Sequence, residues 1–210
     1  MDKSTHTLTA PVMGLVRHRI MTDGKGVTTL AGFYGCPLRC GYCLNPQCFG
    51  SKTAVTHMTP KELYEKIRID ELYFLATGGG VTFGGGEPLL HSDFIAEFCK
   101  ICGSTYNFCA ETCLNVPFEN AEKLLPYIST FFVDVKDTDP DIYLRYTGND
   151  NTQVIENLKR LAALGHDDKI VIRLPLIPGY NSEKDREKSE KFLRSIGLTN
   201  FDKFTYIIRD

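Results

Sequence analysis

The chain has 210 residues, of which 42% are hydrophobic and 24% are charged, and its formal net charge is −2. This composition suits one globular domain over residues 1–210 and gives no electrostatic case for nucleic acid or membrane binding. No apolar run approaches the roughly 20 residues of a membrane span, and the first residues lack the apolar region of a secretory signal. We therefore expect a cytoplasmic protein, whose clustered cysteines indicate metal binding or catalysis more than disulfides.

Short apolar runs predict six β-strands, at 27–34, 80–83, 105–110, 130–135, 169–174 and 203–208. Helical patterns lie between them, at 59–76, 92–102, 151–165 and 182–197. Because strand and helix alternate, the simplest architecture is a parallel α/β fold. Six strands are too few to close a (β/α)8 barrel. We expect an open, partial (β/α)6 barrel from about residue 26 to 208, after an N-terminal extension over 1–25.

Two of the helical patterns carry boundary signals. Thr59 is a predicted N-cap, with Pro60 at the first helical position and Glu62 three residues after the cap. Gly165 follows the third pattern and can supply its left-handed stop. These signals place the helices between the strands, as an α/β fold requires.

Cysteines concentrate where the first predicted strand ends. Cys36, Cys40 and Cys43 are spaced C-x3-C-x2-C, and Cys48 follows them. A structural zinc site normally takes four ligands, and a ferredoxin-type run also has four cysteines, so neither pattern fits. Three thiolates on one loop can instead hold three irons of a [4Fe–4S] cube and leave the fourth iron open. The alternative, three unrelated free cysteines, leaves their density unexplained.

This cysteine spacing, with Tyr42 before the last cysteine, resembles the signature of the radical S-adenosylmethionine (radical SAM) enzymes. Further segments are similar, in the same order, to those of the glycyl-radical-enzyme activases, the family of pyruvate formate-lyase activating enzyme. The similar segments are TDGKGVTTLAGFYGCPLRCGYCLNPQ, GGGVTFGGGEPLL, FFVDVKD, YLRYTGNDNTQVIENLKRL and VIRLPLIPGYN. The resemblance runs from about residue 14 to the end and implies a partial barrel of the radical SAM type.

The resemblance also implies a reaction. The cluster on Cys36, Cys40 and Cys43 would bind S-adenosylmethionine (SAM) at its open iron, and one electron would break the sulfur–C5′ bond. The resulting 5′-deoxyadenosyl radical would abstract a hydrogen from a glycine of a partner glycyl radical enzyme. The implied protein is an anaerobic oxidoreductase that takes its electron from flavodoxin or a ferredoxin-type donor. Two alternatives stay open: a radical SAM enzyme acting on a small molecule or another peptide, and a non-catalytic metal-binding module.

The resemblance assigns SAM binding to residues near the ends of several strands. Family members usually have Ser where this chain has Gly84, and many have Asp where it has Glu111. The implied SAM-binding residues are Tyr42, Leu44, Gly84, Gly85, Gly86, Glu87, Glu111, Thr112, Asp134, Val135, Lys136 and Arg173.

Structural alternatives exist for the charged members of this set. Asp134 and Lys136 share a strand face and would also form a plain ion pair at the barrel rim. Arg173 lies in an otherwise apolar strand, where a buried guanidinium needs an anionic partner. That partner is the SAM carboxylate, the substrate backbone or a carboxylate of the barrel.

The segment TDGKGV resembles the part of the activases that docks the glycyl-radical peptide, which assigns Asp23 and Gly24 to docking. The family usually has Pro at the position of Lys25. The alternative interpretation is a plain Asp-Gly turn before the first predicted strand.

The remaining cysteines have a spacing that suggests a second metal site. Cys102 ends a predicted helix, however, whereas Cys113 lies beyond the far end of the following strand, roughly 20 Å away. We therefore expect buried, hydrophobic cysteines in place of a metal site. The cysteines concerned are Cys99, Cys102, Cys109 and Cys113, and Cys48 is assigned no role.

Overall fold

The computed structural model describes residues 7–207, so the predicted strand end at 208 lies outside the described residues. The strands are β1 (Ala10–Ile20), β2 (Val27–Phe33), β3 (Thr56–Met58), β4 (Gly80–Gly85), β5 (Asn107–Thr112), β6 (Thr130–Asp134), β7 (Ile170–Leu176) and β8 (Phe201–Thr205). The helices are α1 (Pro60–Ile67), α2 (Glu71–Thr77), α3 (Ser92–Cys102), α4 (Phe118–Leu124), α5 (Pro140–Thr147), α6 (Thr152–Ala163) and α7 (Glu183–Ser195). Within residues 7–207, no helix combines the length and apolar character that crossing a bilayer requires.

Within the described residues, the eight strands form one sheet in the order β3-β1-β2-β4-β5-β6-β7-β8. The neighbouring strands in the run β2-β4-β5-β6-β7-β8 are parallel. Strand β1 pairs antiparallel with both β2 and β3. The terminal strands β3 and β8 do not pair with each other, so the sheet is open. The predicted α/β fold with six parallel strands in an open sheet is confirmed.

Strands β1 and β3 are not predicted from the sequence, and the region of β1 was expected to be an extension. The reason lies in the irregular pairing of β1 with β2. Its register shifts between Val16 and Arg19, and His18 has a positive φ of 56°. An irregularity of this kind breaks the alternation of buried and exposed side chains from which a strand is predicted.

The predicted helices are present, and two of their boundary signals take the expected form. Thr59 and Glu62 form a reciprocal capping box at the start of α1, and Gly165 has a φ of +74° after α6. The pattern predicted as one helix over 59–76 is divided between α1 and α2 by a 3₁₀ turn. The short helices α4 and α5 were not predicted.

The two faces of the sheet differ in character. Phe83 of β4 packs against Phe33 of β2 and Phe98 of α3, with ring centroids 6.3 and 5.7 Å apart. Alternate residues point to the opposite face, where Glu111 of β5 and Arg173 of β7 form a hydrogen bond of 2.9 Å. One cavity on this polar face is lined by residues from β2 to the segment after β8, so the sheet curves around it. The helices therefore cover an apolar face, and the concave face encloses charged side chains.

A buried carboxylate ties β1 to the rest of the fold. Asp70 is fully buried and accepts hydrogen bonds from Arg17 Nε and Thr29 Oγ1, each 2.8 Å from Oδ2. His18 Nε2 lies 3.1 Å from Oδ1. Burial alone would raise the pKa of Asp70, but the hydrogen bonds from Arg17 and Thr29 outweigh it and lower that pKa. Asp70 therefore joins β1 and β2 to the turn before α2.

We expect Asp70→Asn to lower the free energy of unfolding by about 2 kcal/mol at pH 7, because it weakens a buried ion pair. Urea denaturation measures this loss. As the control, Glu65→Gln removes a half-exposed partner of Arg68 and should change the free energy by less than about 0.5 kcal/mol.

The pH dependence provides a second check on Asp70. A carboxylate with a depressed pKa in the folded state stabilises the fold above its unfolded pKa and loses that effect as pH falls through the folded value. The difference between wild type and Asp70→Asn should therefore shrink in acid. An equal free energy of unfolding for the two proteins at pH 7 would contradict the role of Asp70.

Candidate active site

A cavity of about 310 Å³ lies on the concave face, at the carboxyl ends of the parallel strands. In open α/β sheets this is the usual location of a ligand site. The predicted site residues that line it are Cys36, Cys40, Tyr42, Cys43, Leu44, Gly85, Gly86, Glu111, Thr112, Asp134, Lys136 and Arg173. The structure therefore brings most of the predicted set together around one cavity.

The loop that carries the three cysteines is held by backbone hydrogen bonds to the end of α5. Arg39 N donates to Thr147 O at 2.7 Å, and Gly41 N donates to Tyr146 O at 2.9 Å. A Cβ at Gly41 would lie 2.6 Å from the hydroxyl of Tyr180, so a side chain there would displace the tyrosine. These contacts fix one wall of the cavity and place the three thiols on it.

The three thiols experience different environments. A hydrogen bond from the Cys113 thiol lowers the pKa of Cys36, whereas burial raises the pKa of Cys40 to about 11. Within residues 7–207, no three His, Cys, Asp or Glu side chains converge on one point, as a single metal ion requires. A [4Fe–4S] cube takes each thiolate at a different iron, so three thiols on one wall can bind three of its corners.

The glycine segment after β4 lies directly against the start of the cysteine loop. Gly86 N donates to Phe33 O at 2.8 Å, and Glu87 N donates to Gly35 O at 2.7 Å. A Cβ on Gly86 would lie 2.1 Å from Gly35 O, which no side chain tolerates. Gly85 adopts a φ of +92°, which favours glycine. The glycines therefore let two loops of the site approach each other.

Glu87 lies behind the cavity wall. Its fully buried carboxylate accepts hydrogen bonds from Thr112 Oγ1 at 2.7 Å, Cys113 N at 2.8 Å and Leu89 N at 3.0 Å. Burial raises its pKa above the ordinary value. Glu87 therefore links the end of β4 to the end of β5, and its predicted contact with SAM stays a prediction.

Two further members of the predicted set also lie outside the lining. Val135 is fully buried. Gly84 leaves room for a neighbouring side chain, because a Cβ there would lie 3.1 Å from Glu111 Oε2. Their predicted roles in cofactor binding stay predictions.

Charged side chains at the strand ends form ion pairs with each other, one of the alternatives that the sequence left open. Glu111 Oε1 accepts from Arg173 Nη1 at 2.9 Å, and Lys136 Nζ lies 3.3 Å from Asp134 Oδ2. Burial raises the pKa of Glu111 despite its arginine partner. Each pair lines the cavity, so the groups are held in place and still face a ligand.

The predicted docking residues lie inside the barrel. Asp23 is fully buried, with Oδ1 accepting from Thr28 Oγ1 at 2.8 Å and Oδ2 lying 2.8 Å from Arg19 Nε. Its backbone carbonyl accepts from Thr82 Oγ1 at 2.8 Å. Gly24 lies beside Cys109, because a Cβ added to Gly24 would lie 3.2 Å from the cysteine sulfur. Neither residue forms an open surface patch, and their docking role stays a prediction.

Seven residues of the cavity wall were not predicted from the sequence: Arg19, Leu30, Leu38, Asn45, Cys113, Tyr146 and Tyr206. Tyr206 accepts a hydrogen bond from Lys136 Nζ at 3.3 Å, and the buried hydroxyl of Tyr146 has no hydrogen-bond partner among the described residues. A tyrosine in an apolar run gives no sequence signal that separates it from the core. Cys113 stood out in the sequence only as one of four spaced cysteines, and the topology argues against a metal site on those four.

The other downstream cysteines behave as expected. Cys99, Cys102 and Cys109 are buried thiols, and Cys48 is buried beside the cysteine loop. The expected burial is confirmed for Cys99, Cys102 and Cys109, and also for Cys113.

Known proteins were compared with the chain by sequence. The profile of the radical SAM superfamily matches residues 31–193. Pyruvate formate-lyase-activating enzyme from Clostridium pasteurianum is 33% identical over 82% of this chain and 69% of its own length. The (2S)-3-sulfopropanediol dehydratase activating enzyme from Klebsiella oxytoca is 29% identical over 77% of this chain and 69% of its own length. The chain belongs to the radical SAM superfamily.

The comparison with solved structures agrees on the fold. Streptococcus suis SuiB, in a structure with S-adenosylmethionine bound, matches 84% of this chain with a TM-score of 0.64 and 18% identity. The chain corresponds to 39% of SuiB, so this likeness concerns the fold alone. Enzymes of the superfamily use a [4Fe–4S] cluster and SAM, and the three thiols in the cavity fit such a cluster.

Iron content tests which cysteines are ligands. We expect Cys48→Ala and Cys113→Ser to keep about four irons per chain after anaerobic reconstitution, and Cys43→Ala to lose most of them. Cys48 does not line the cavity, and Cys113 follows β5, outside the loop that carries the three cysteines.

The matched control for this test is Cys99→Ala, which removes a buried thiol from α3. It should retain iron like the wild type. Loss of iron in Cys48→Ala or Cys113→Ser equal to that in Cys43→Ala would show a fourth thiolate ligand and contradict the open iron.

Proposed function

We propose that this protein is a radical SAM activating enzyme that installs a glycyl radical on a partner glycyl radical enzyme. The observation that carries the proposal is the placement of three thiols of one loop around a cavity that Cys48 does not enter. Similarity to two activating enzymes supports the choice of reaction.

The cysteines Cys36, Cys40 and Cys43 would hold the [4Fe–4S] cluster. Together with bound SAM, the cluster supplies a 5′-deoxyadenosyl radical, which is the chemistry the protein itself lacks. The task of the chain is to bind and orient the cluster and SAM and to exclude water from them. Its half-buried thiols and the glycine segment that packs against their loop suit that task.

The ion pairs of the wall suit the charge distribution of SAM. Methionyl amino and carboxylate groups of opposite sign need partners of opposite sign at short range. Asp134 with Lys136 and Glu111 with Arg173 provide both signs at neighbouring strand ends. We propose that these pairs hold the amino acid and ribose parts of SAM, as the family resemblance implies.

The proposed partner is a glycyl radical enzyme. The names of the relatives point to pyruvate formate-lyase and (2S)-3-sulfopropanediol dehydratase as candidates. We propose flavodoxin or a ferredoxin-type protein as the electron donor. We also propose that residues 1–210 work as one domain in the cytoplasm, where thiols stay reduced, and all eight cysteines are free thiols.

Electron paramagnetic resonance tests the proposal. The reconstituted, reduced protein is mixed anaerobically with SAM and either pyruvate formate-lyase or (2S)-3-sulfopropanediol dehydratase. We expect a glycyl doublet with one of them and none when SAM is omitted. Release of 5′-deoxyadenosine without a doublet on either enzyme would contradict this class of partner and favour a small molecule or another peptide as the substrate.

A further inference from the structure

Arg19 is a charged residue of the cavity wall to which neither the cysteine pattern nor the family resemblance assigns a role. It lies on the antiparallel strand β1, in register with Thr28 of β2. Its Nε is 2.8 Å from Asp23 Oδ2, and its Nη2 is 4.0 Å from Glu111 Oε1. The side chain of Arg19 is 27% exposed, whereas Asp23 is fully buried. Of this pair, only the arginine is open to a ligand.

Arg19 and the cysteine loop lie at opposite ends of β2. The loop follows Phe33 at the carboxyl end, whereas Arg19 pairs with Thr28 near the start. Five residues of a strand span about 16 Å. A ligand that is bound at the thiols therefore does not place its iron-binding end at Arg19. Arg19 lies at the end of the cavity opposite the thiols, which we call its deep end. It faces the molecule that is bound there.

The charges around the deep end are balanced. The charge of Arg19 is matched by Asp23, 2.8 Å from its Nε, and Glu111 nearby is matched by Arg173. A balanced set gives no long-range attraction for a highly charged small molecule. It suits an uncharged polar ligand, which binds through hydrogen bonds at short range.

The donors of Arg19 match a polypeptide backbone. A guanidinium presents five N–H groups in a planar fork, and peptide carbonyl oxygens are acceptors. Nη2 lies beyond hydrogen-bond range of Glu111, so that end of the fork is not committed to the carboxylate. We propose that Arg19 binds backbone carbonyl oxygens of the glycine-containing segment of the protein substrate.

This inference rests on the proposed function and gives Asp23 a different part in it. Asp23 accepts a hydrogen bond from Thr28 on Oδ1, and its Oδ2 forms an ion pair with Arg19 Nε, so it orients the guanidinium. Asp23 is a positioning residue that acts through Arg19, and the docking contact belongs to the arginine.

Arg19→Lys tests the proposal. Lysine keeps a positive charge beside buried Asp23, so the chain folds, but it lacks the planar fork. The matched control is Arg17→Lys, two residues away on the same strand, whose side chain pairs with Asp70 outside the cavity. The probes are pyruvate formate-lyase and (2S)-3-sulfopropanediol dehydratase. The dissociation constants of these two partners are measured by biolayer interferometry. The KM for radical installation is measured from the intensity of the glycyl doublet. The melting temperatures of the variants confirm that they fold.

We expect Arg19→Lys to raise the dissociation constant and KM for the partner about tenfold, because a hydrogen bond is lost. Arg17→Lys should change both less than about twofold. The affinity for SAM, measured by equilibrium dialysis, should be the same in both variants.

Equal partner affinities in the two variants would overturn the role of Arg19 and leave the proposed function intact. A loss of SAM affinity in Arg19→Lys would also overturn it, by assigning the arginine to the cofactor. A wild type that cleaves SAM but binds neither partner would overturn the proposed function, and the inference with it.

Discussion

The site depends on a close backbone contact between the glycine segment and the cysteine loop. Gly86 and Glu87 donate to carbonyls of Phe33 and Gly35 at 2.8 and 2.7 Å, a distance that only a residue without a Cβ permits at position 86. The carboxylate of Glu87 then reaches the end of β5. The ends of β2, β4 and β5 are thus joined to one another by hydrogen bonds. The thiols are carried by a loop that begins at one of these strand ends.

The open sheet places these strand ends around one cavity. Parallel strands bring their carboxyl ends to one edge, so polar groups far apart in sequence meet there. The curved sheet encloses charged groups such as Glu111 and Arg173 on the concave face, while aromatic side chains fill the other. An antiparallel strand then adds Arg19 from the opposite direction. In the proposed function, the cofactor and the substrate therefore meet different ends of one cavity.

Much of this arrangement follows from local patterns in the sequence. The six parallel strands and the capping box at Thr59 were predictable because apolar runs and cap residues act over a few neighbours. The ion pair of Glu111 with Arg173 joins residues 62 apart, so the sequence offered several partners and no means to choose. Strand β1 escaped prediction because a register shift hides its alternation. Arg19 was missed with it, since its importance depends on the strand that carries it.

The central claim is that three thiols hold a cluster with an open iron that cleaves SAM. The most direct test is to reconstitute the protein anaerobically with iron and sulfide, reduce it with dithionite, add SAM and quantify 5′-deoxyadenosine beside a Cys36→Ala control. The account predicts product from the wild type alone, with about four irons per chain. A full cluster with no product in the presence of SAM and either partner enzyme, or zinc in place of iron, would contradict it.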